Sequence, residues 1–291
     1  MSIVSASRVG GEKFYGVLML IFGALLWLAV IGAAIAALSS DNPKTQAMVS
    51  IYGVYAGLYV LYLLLAPLFY RAYSYGHMVR LGPNQFPDLH AMVKEGAERV
   101  GLKTTPTAFL YNSNGLFNAF ARRIWGSRFV YLTSALVEAN DDAQVRFVVG
   151  HELGHHAAGH LNPVLNFIKA PAHAVPFLAP AYSRARETTC DAIGYRLNSD
   201  LKAAQSALAM LGCGCRRMNA GLSCEAFVAQ EEEVPAFFGW LVEILASHPR
   251  LTRRVRAVGA LAADDKRAQW TGEGAQAPYL NFGVRHGDAP A

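Results

Sequence analysis

Two long stretches of the chain carry no charge. The run FYGVLMLIFGALLWLAVIGAAIAALSS lies between Lys13 and Asp41 and exceeds the ~20 residues a helix needs to cross a hydrocarbon core. A second run, TQAMVSIYGVYAGLYVLYLLLAPLFY, lies between Lys44 and Arg71 and has tyrosines near both ends, where aromatic rings favour the membrane interface. The pattern predicts a helical hairpin with spans over about 14–38 and 48–70 and a short turn at 41–44. The first run is much longer than the apolar core of a cleaved signal peptide, and a second span follows at once, so the hairpin reads as retained.

Beyond Arg71 the periodicity becomes that of a mixed globular domain. In PDLHAMVKEGAERVGL the apolar Leu89, Met92, Val93 and Val100 recur at roughly helical spacing, and Gly101 ends the helix. PTAFLYN, NAFARR and RFVYLTSAL are short β-prone runs divided by Asn, Gly and Ser, which predict a small antiparallel sheet. A helix then begins at Asp141, which forms a capping-box pattern with Gln144 and has Val145, Val148, Val149 and Leu153 to bury. The interval LNPVLNFIKAPAHAVPFLAPAYSRAR contains four prolines and Lys169. It is too short and broken for two spans and reads as an apolar loop or short helices on the membrane surface or over a cleft. The stretch 263–291 reads as surface coil. The chain thus divides into an N-terminal segment 1–13, a hairpin 14–70, a globular domain 71–262 and a tail 263–291.

Composition agrees with a partly lipid-embedded protein: 53% of residues are hydrophobic and only 16% charged. Arg8 and Lys13 precede the first span and Arg71 and Arg80 follow the second, while the intervening DNPK balances one Asp against one Lys. Both termini are therefore expected in the cytosol. The net charge of +5 is scattered and partly membrane-flanking, so it gives no reason to expect a nucleic-acid partner. Cys190, Cys213, Cys215 and Cys224 show no C-x-x-C spacing and read as reduced structural thiols rather than as a disulfide framework or a second metal site.

The candidate chemistry lies in VVGHELGHHAAGH, which holds four of the nine histidines. His151 and His155 stand at i and i+4, on one helical face, where both imidazoles can aim at one metal ion. Glu152 sits beside that face, where a carboxylate can take a proton from metal-bound water. A catalytic zinc needs a third protein ligand and an open position. In SRARETTCDAIGYRL the spacing of Glu187 and Asp191 again puts two carboxylates on one face, making Glu187 the third ligand. Asp191 either accepts the ring N–H of a zinc-bound histidine or pairs with Arg184 or Arg186. His156 is rotated off the ligand face and reads as packing or solvent-facing, and His160 as either near the metal or, the favoured reading, filling a polar position below it.

The order NAFA, FVYLTSALV, HELGHHAAGH, SRARETTCD, SHPRLTRRV resembles peptidase family M48, the group that contains the HtpX-like bacterial membrane proteases and the CAAX prenyl endopeptidases. The resemblance runs over roughly residues 85–260. It implies an α+β, mainly α architecture, with the two-helix hairpin followed by a gluzincin-type metalloprotease domain. By motif position it makes His151, His155 and Glu187 the ligands of one zinc ion and Glu152 the general base. It also puts Asn118 and Ala119 on an edge strand that binds substrate backbone, and His248 and Arg254 near the site. His248 is read either as a helix-capping residue before Pro249 or as an oxyanion-stabilising group. Two features depart from the HtpX pattern: the second hydrophobic hairpin between the zinc helix and the third ligand is missing, and Cys190 stands where the family usually has alanine. The implied protein is a membrane-anchored zinc endopeptidase of the cytoplasmic membrane. It would act on extended segments of polypeptides, including membrane proteins, in quality control. A metalloprotease-fold sensor or scaffold that works by binding partners is the alternative.

Overall fold

The structure, a computed structural model, describes residues 2–219 and 221–270. After a short helix α1 (Ile3–Ser7), the two uncharged runs form α2 (Gly10–Leu38) and α3 (Pro43–His77). Asn42 starts α3 by accepting a hydrogen bond from the Lys44 amide, and Pro43 occupies the first helical position, where its missing N–H costs nothing. Both helices are long and apolar enough to cross a bilayer. Ser74 is the one buried residue of α3, and the leucines and tyrosines of its middle, from Tyr52 to Leu65, are exposed. A helix of this composition in a water-soluble core would be covered. Both helices outrun their expected spans. Nothing at Arg71 breaks α3, whose last two turns dock on the sheet: the Ser74 hydroxyl lies 3.1 Å from that of Tyr131, and the Arg122 guanidinium sits 4.2 Å above the Tyr70 ring.

Next come β1 (Val79–Arg80), α4 (Pro87–Arg99), β2 (Thr107–Tyr111), β3 (Ala119–Ile124) and β4 (Ser127–Thr133). The sheet order is β1-β2-β4-β3. The sheet is mixed, not all antiparallel as expected, because β2 runs parallel to β4 from Thr107↔Phe129 to Tyr111↔Thr133. The reason lies in β4. Phe129 through Thr133 are all buried, so this strand must occupy the centre, covered on both faces. One face carries Phe109, Phe129 and Tyr131 toward the end of α3, and the other carries Ala108, Val130 and Leu132 into the main core. The β3–β4 hairpin turns at Trp125 and Gly126, both at positive φ, and leaves β3, with its exposed arginines, on the open edge. The last expected strand is shorter than its apolar run: Thr133 ends it by capping α5 (Ser134–Ala139).

The long helix α6 (Asp142–Ala157) starts with the expected capping box between Asp141 and Gln144. The proline-rich interval forms α7 (Pro163–Lys169) and a 3₁₀ turn at Ala170–Ala174. These lie on α2: Trp27 stacks on Phe167 at 4.8 Å and donates to its carbonyl at 3.0 Å, and Met19 is buried with Ala172, Leu178 and Tyr182. Then follow α8 (Leu178–Asn198), α9 (Leu201–Cys213), α10 (Arg216–Asn219), α11 (Cys224–Ala229), α12 (Ala236–Leu245) and α13 (Leu251–Trp270). Helix α13 continues into the stretch read as tail, and its Asp265 forms a two-bond ion pair with Arg196 of α8. Residues 271–291 of the expected coil lie outside the described residues.

Helices α6 and α8 pack through glycine. A Cβ on Gly194 would meet the Phe147 carbonyl at 2.8 Å and the His151 amide nitrogen at 3.1 Å, and one on Gly150 would meet the Gly194 Cα at 3.0 Å. Backbone cannot retreat as a side-chain tip can, so Gly194→Ala is expected to force the helices apart, at a cost of ~1–3 kcal/mol. Chemical denaturation of the full chain checks this, and an unchanged midpoint would mean that the helices slide freely past each other.

Candidate metal centre

Three side chains from α6 and α8 converge. His151 Nε2 lies 3.3 Å from Glu187 Oε2, and His155 Nε2 lies 3.4 Å from Glu187 Oε1. One ligand atom from each of the three falls within 4.8 Å of the others. Charge-assisted hydrogen bonds are shorter, ~2.7–2.9 Å. Two ligands about 2.0–2.1 Å from one tetrahedral zinc stand about 3.3–3.4 Å apart. The spacing and the donor types, two imidazoles and a carboxylate, therefore fit zinc.

The electrostatics fit a cation as well. Burial opposes charge on His151, yet the Asp191 and Glu187 carboxylates outweigh it and lift its pKa to about 10. Burial would likewise raise Glu187, but contact with the two imidazoles holds it well below the usual carboxylate range. His155 is shifted the other way, downward, chiefly by burial. The pair His151 and Glu187 therefore defines a point where positive charge is strongly favoured.

Asp191 resolves in favour of the histidine. Its Oδ1 lies 2.9 Å from His151 Nδ1, while Arg254 donates to both carboxylate oxygens at 2.7 Å. With Nδ1 held by Asp191, the ring directs Nε2 of His151 toward Glu187, where a bound metal would take its lone pair in place of the proton. Arg184, one of the pairing partners considered for Asp191, instead caps α12 through the carbonyls of Glu243, Ile244 and Ala246.

Glu152 is buried beside this group. Burial pushes its carboxyl up to about 7, with the Glu187 charge reinforcing the rise and His151, Arg254 and a hydrogen bond from the Ala121 backbone opposing it. Ala121 belongs to the open strand β3. Asn118, just before that strand, has its amide and carbonyl occupied by Thr133. By strand alternation the peptide groups of Ala119 and Ala121 face outward, away from β4. The exposed Asn118 retains its side chain for contacts, and Ala119 its backbone. His248 is also at the site, exposed, with Nε2 3.7 Å from Glu187 Oε2 and Nδ1 2.9 Å from the Ser247 hydroxyl.

The other two histidines of the motif are buried. His156 Nε2 lies 3.0 Å from the Phe129 carbonyl, a packing role, and burial lowers its pKa to about 4. His160, its pKa likewise lowered to about 4 chiefly by burial, has Nδ1 3.0 Å from His155 Nδ1 and 3.5 Å from Cys190 Sγ. His155, His160 and Cys190 are close enough to be weighed as a second metal group. A metal would need the thiolate, whereas burial and three nearby carboxylates push the Cys190 thiol well above its ordinary range. The cluster is a hydrogen-bonded support for His155. Sequence spacing did not disclose the Ala121 contact, or Glu12, whose Oε1 lies 3.1 Å from His160 Nε2.

The sequence profile of peptidase family M48 matches residues 83–172 and 162–262. The chain belongs to peptidase family M48. The matched M48 region contains every candidate named above except Glu12. The chain is also 26% identical over 205 residues to the plastoglobule-localized metallopeptidase 48 of Arabidopsis thaliana, across 63% of this chain and 59% of that protein, so it spans less than two thirds of that relative's length. The crystal structure of S. mikatae Ste24p is similar at a TM-score of 0.48 and 15% identity, covering 86% of this chain and 66% of that one.

Arg254→Met would leave Asp191 buried without its cation. The expected loss is ~3–5 kcal/mol, as for other broken buried pairs, read by denaturant unfolding at neutral pH. A loss below about 1 kcal/mol would mean that water reaches the carboxylate.

Proposed function

We propose that this M48 protein is a membrane-anchored zinc endopeptidase that cuts extended polypeptide segments on the cytosolic face of the cytoplasmic membrane, in quality control of membrane proteins. The observation that carries the reading is the meeting of base and strand edge: Glu152 adjoins both the His151–Glu187 pair and the Ala121 backbone of β3. His151, His155 and Glu187 would hold one zinc per chain. When bound, zinc supplies a Lewis acid that polarises a carbonyl and acidifies water.

The chain's own groups supply the rest. The outward peptide groups of β3 hold a substrate segment by strand addition, which fixes the main chain and asks little of its side chains. Glu152, titrating near 7, removes the proton from the attacking water and returns it to the leaving amine. His248 stands where it can donate to the developing oxyanion, and Asn118 where its side chain can meet the bound segment. Asp191, itself fixed by Arg254, keeps His151 in one tautomer.

The membrane arrangement rests on the hairpin and its flanks. Arg8 donates to the Ala158 carbonyl at 2.5 Å, which supports a topology with the N-terminus and helix α6 on the same side. The cations Arg8, Lys13, Arg71 and Arg80 favour the cytosolic side. A reporter fused after Arg80 in a bacterial host is expected to have cytosolic activity, and periplasmic activity would overturn this orientation.

The chemistry is tested on the detergent-solubilised protein. Wild type is expected to contain one zinc and to cleave casein until a chelator is added. Glu187→Ala should lose the metal. Glu152→Gln should keep zinc and melting temperature while turnover falls ~10²-fold or more. Equal cleavage by the glutamine variant would remove Glu152 as the base. A sensor or scaffold would have no cleavage to lose.

A further inference from the structure

The two imidazoles that face Glu187 are supported differently. His151 Nδ1 meets the Asp191 carboxylate directly, and that carboxylate is held by Arg254. His155 Nδ1 meets no carboxylate. It meets His160 Nδ1 at 3.0 Å, and the far ring nitrogen of His160 lies 3.1 Å from Glu12 Oε1. Glu12 is held in turn by Arg8, whose Nη1 lies 2.9 Å from the same oxygen. Glu12 is 2% exposed and His160 2%. Both support lines therefore end in a carboxylate neutralised by an arginine, but the second begins on α2, the first membrane-spanning helix, nearly 150 positions away in sequence.

Proton bookkeeping gives this line a direction. A carboxylate oxygen can only accept. His160 Nε2 therefore carries the proton on the side of Glu12, a close charge contact that falls outside hydrogen-bond alignment, and in the neutral ring Nδ1 is the acceptor. His155 Nδ1 is then the donor, and the lone pair this leaves on His155 Nε2 would serve a metal ion held between that atom and Glu187. The Cys190 thiol, at 3.5 Å from His160 Nδ1, is the longer and weaker competitor for that acceptor.

We propose that Glu12 is a positioning residue of the metal centre: through His160 it fixes the tautomer and ring orientation of His155, so that the first membrane helix forms part of the metal-binding apparatus. The inference rests on the reading that His151, His155 and Glu187 hold the metal. A simple helix-stabilising role for Glu12 would be satisfied by Arg8 alone, four residues earlier on the same segment, and would not require a histidine from the far side of the fold to be buried against the same oxygen. Carboxylates that orient ligand histidines act on metal affinity, typically by 10–100-fold.

The test uses the full chain in detergent or nanodiscs, with the Zn²⁺ dissociation constant read by chelator competition and the Co²⁺ d–d spectrum as a second reading. Glu12→Gln is expected to weaken Zn²⁺ ~10–100-fold and to alter the Co²⁺ bands. His160→Ala should do the same, and the double variant no more than either single one, because both interrupt one line. His160→Gln retains a donor for Glu12 and an acceptor for His155 and should restore most of the affinity. Should Glu12→Gln fail to fold, the His160→Gln and His160→Ala pair decides. Unchanged affinity and spectrum in Glu12→Gln overturn the proposal even if its melting temperature falls. So do additive losses in the double variant, or equal losses in the two His160 variants. Wild type that binds no metal at all would instead overturn the metal-site reading itself.

Discussion

The backbones of α6 and α8 come within contact distance at Gly150 and Gly194, where a single added methyl group would strike main-chain atoms. That approach sets the distance between a histidine pair on one helix and a carboxylate on the other. Gly154 continues the seam against Cys190 and Ile193. With larger residues along it, ridge-into-groove packing would hold the axes ~8–10 Å apart, and nothing would bring Glu187 within 3.3–3.4 Å of the two imidazoles. The glycines cost helix propensity, and the close pairing of two well-packed helices offsets it.

Such closeness buries charge, and charge dominates the second layer of the structure. His151, Glu152, Glu187, Asp191 and Arg254 are all under a tenth exposed. Taking these groups out of water is expensive unless each finds a partner. Arg254, arriving from α13, neutralises Asp191, and Asp191 and Glu187 in turn bias His151 toward positive charge. Glu152 has no arginine as close as the one on Asp191, and its carboxyl rises to about 7. One local field thus holds the Asp191 and Glu187 carboxyls below their usual range and pushes that of Glu152 above it.

The hairpin is more than a tether. Helix α2 carries Met19 into a small core with Ala172, Leu178 and Tyr182, presents Gly23 to the backbone of Ile168, and brings Glu12 within 3.1 Å of His160. The end of α3 supplies Ser74 and Tyr70 to the aromatic face of the sheet. The apolar hairpin and the M48 domain therefore share packed surfaces at two separate places, and the position of one constrains the other.

Local signals in the sequence were enough for much of this. Absence of charge over two long runs marked the two long apolar helices, the spacing of His151 and His155 marked one face of α6, and Asp141 with Gln144 marked its start, because each is set by residues within a few turns of one another. Motif order pointed to His248 and Arg254, which the fold brings beside Glu187 and Asp191, and to Asn118 and Ala119 at the start of β3. Strand direction was not legible: the parallel pairing of β2 with β4 follows from β4 being covered on both faces, which depends on α3 and the main core together. The end of α13 was hidden for a similar reason, since Arg196, on another helix, holds its Asp265. The choice of Arg254 over Arg184 or Arg186 for Asp191, the turning of Asn118's peptide groups toward Thr133, and the contact of Glu12 with His160 all join residues far apart in the chain. Sequence fixes which side chains exist and how they repeat along one element. Only packing decides which elements meet, because burial and charge pairing act through space rather than along the chain.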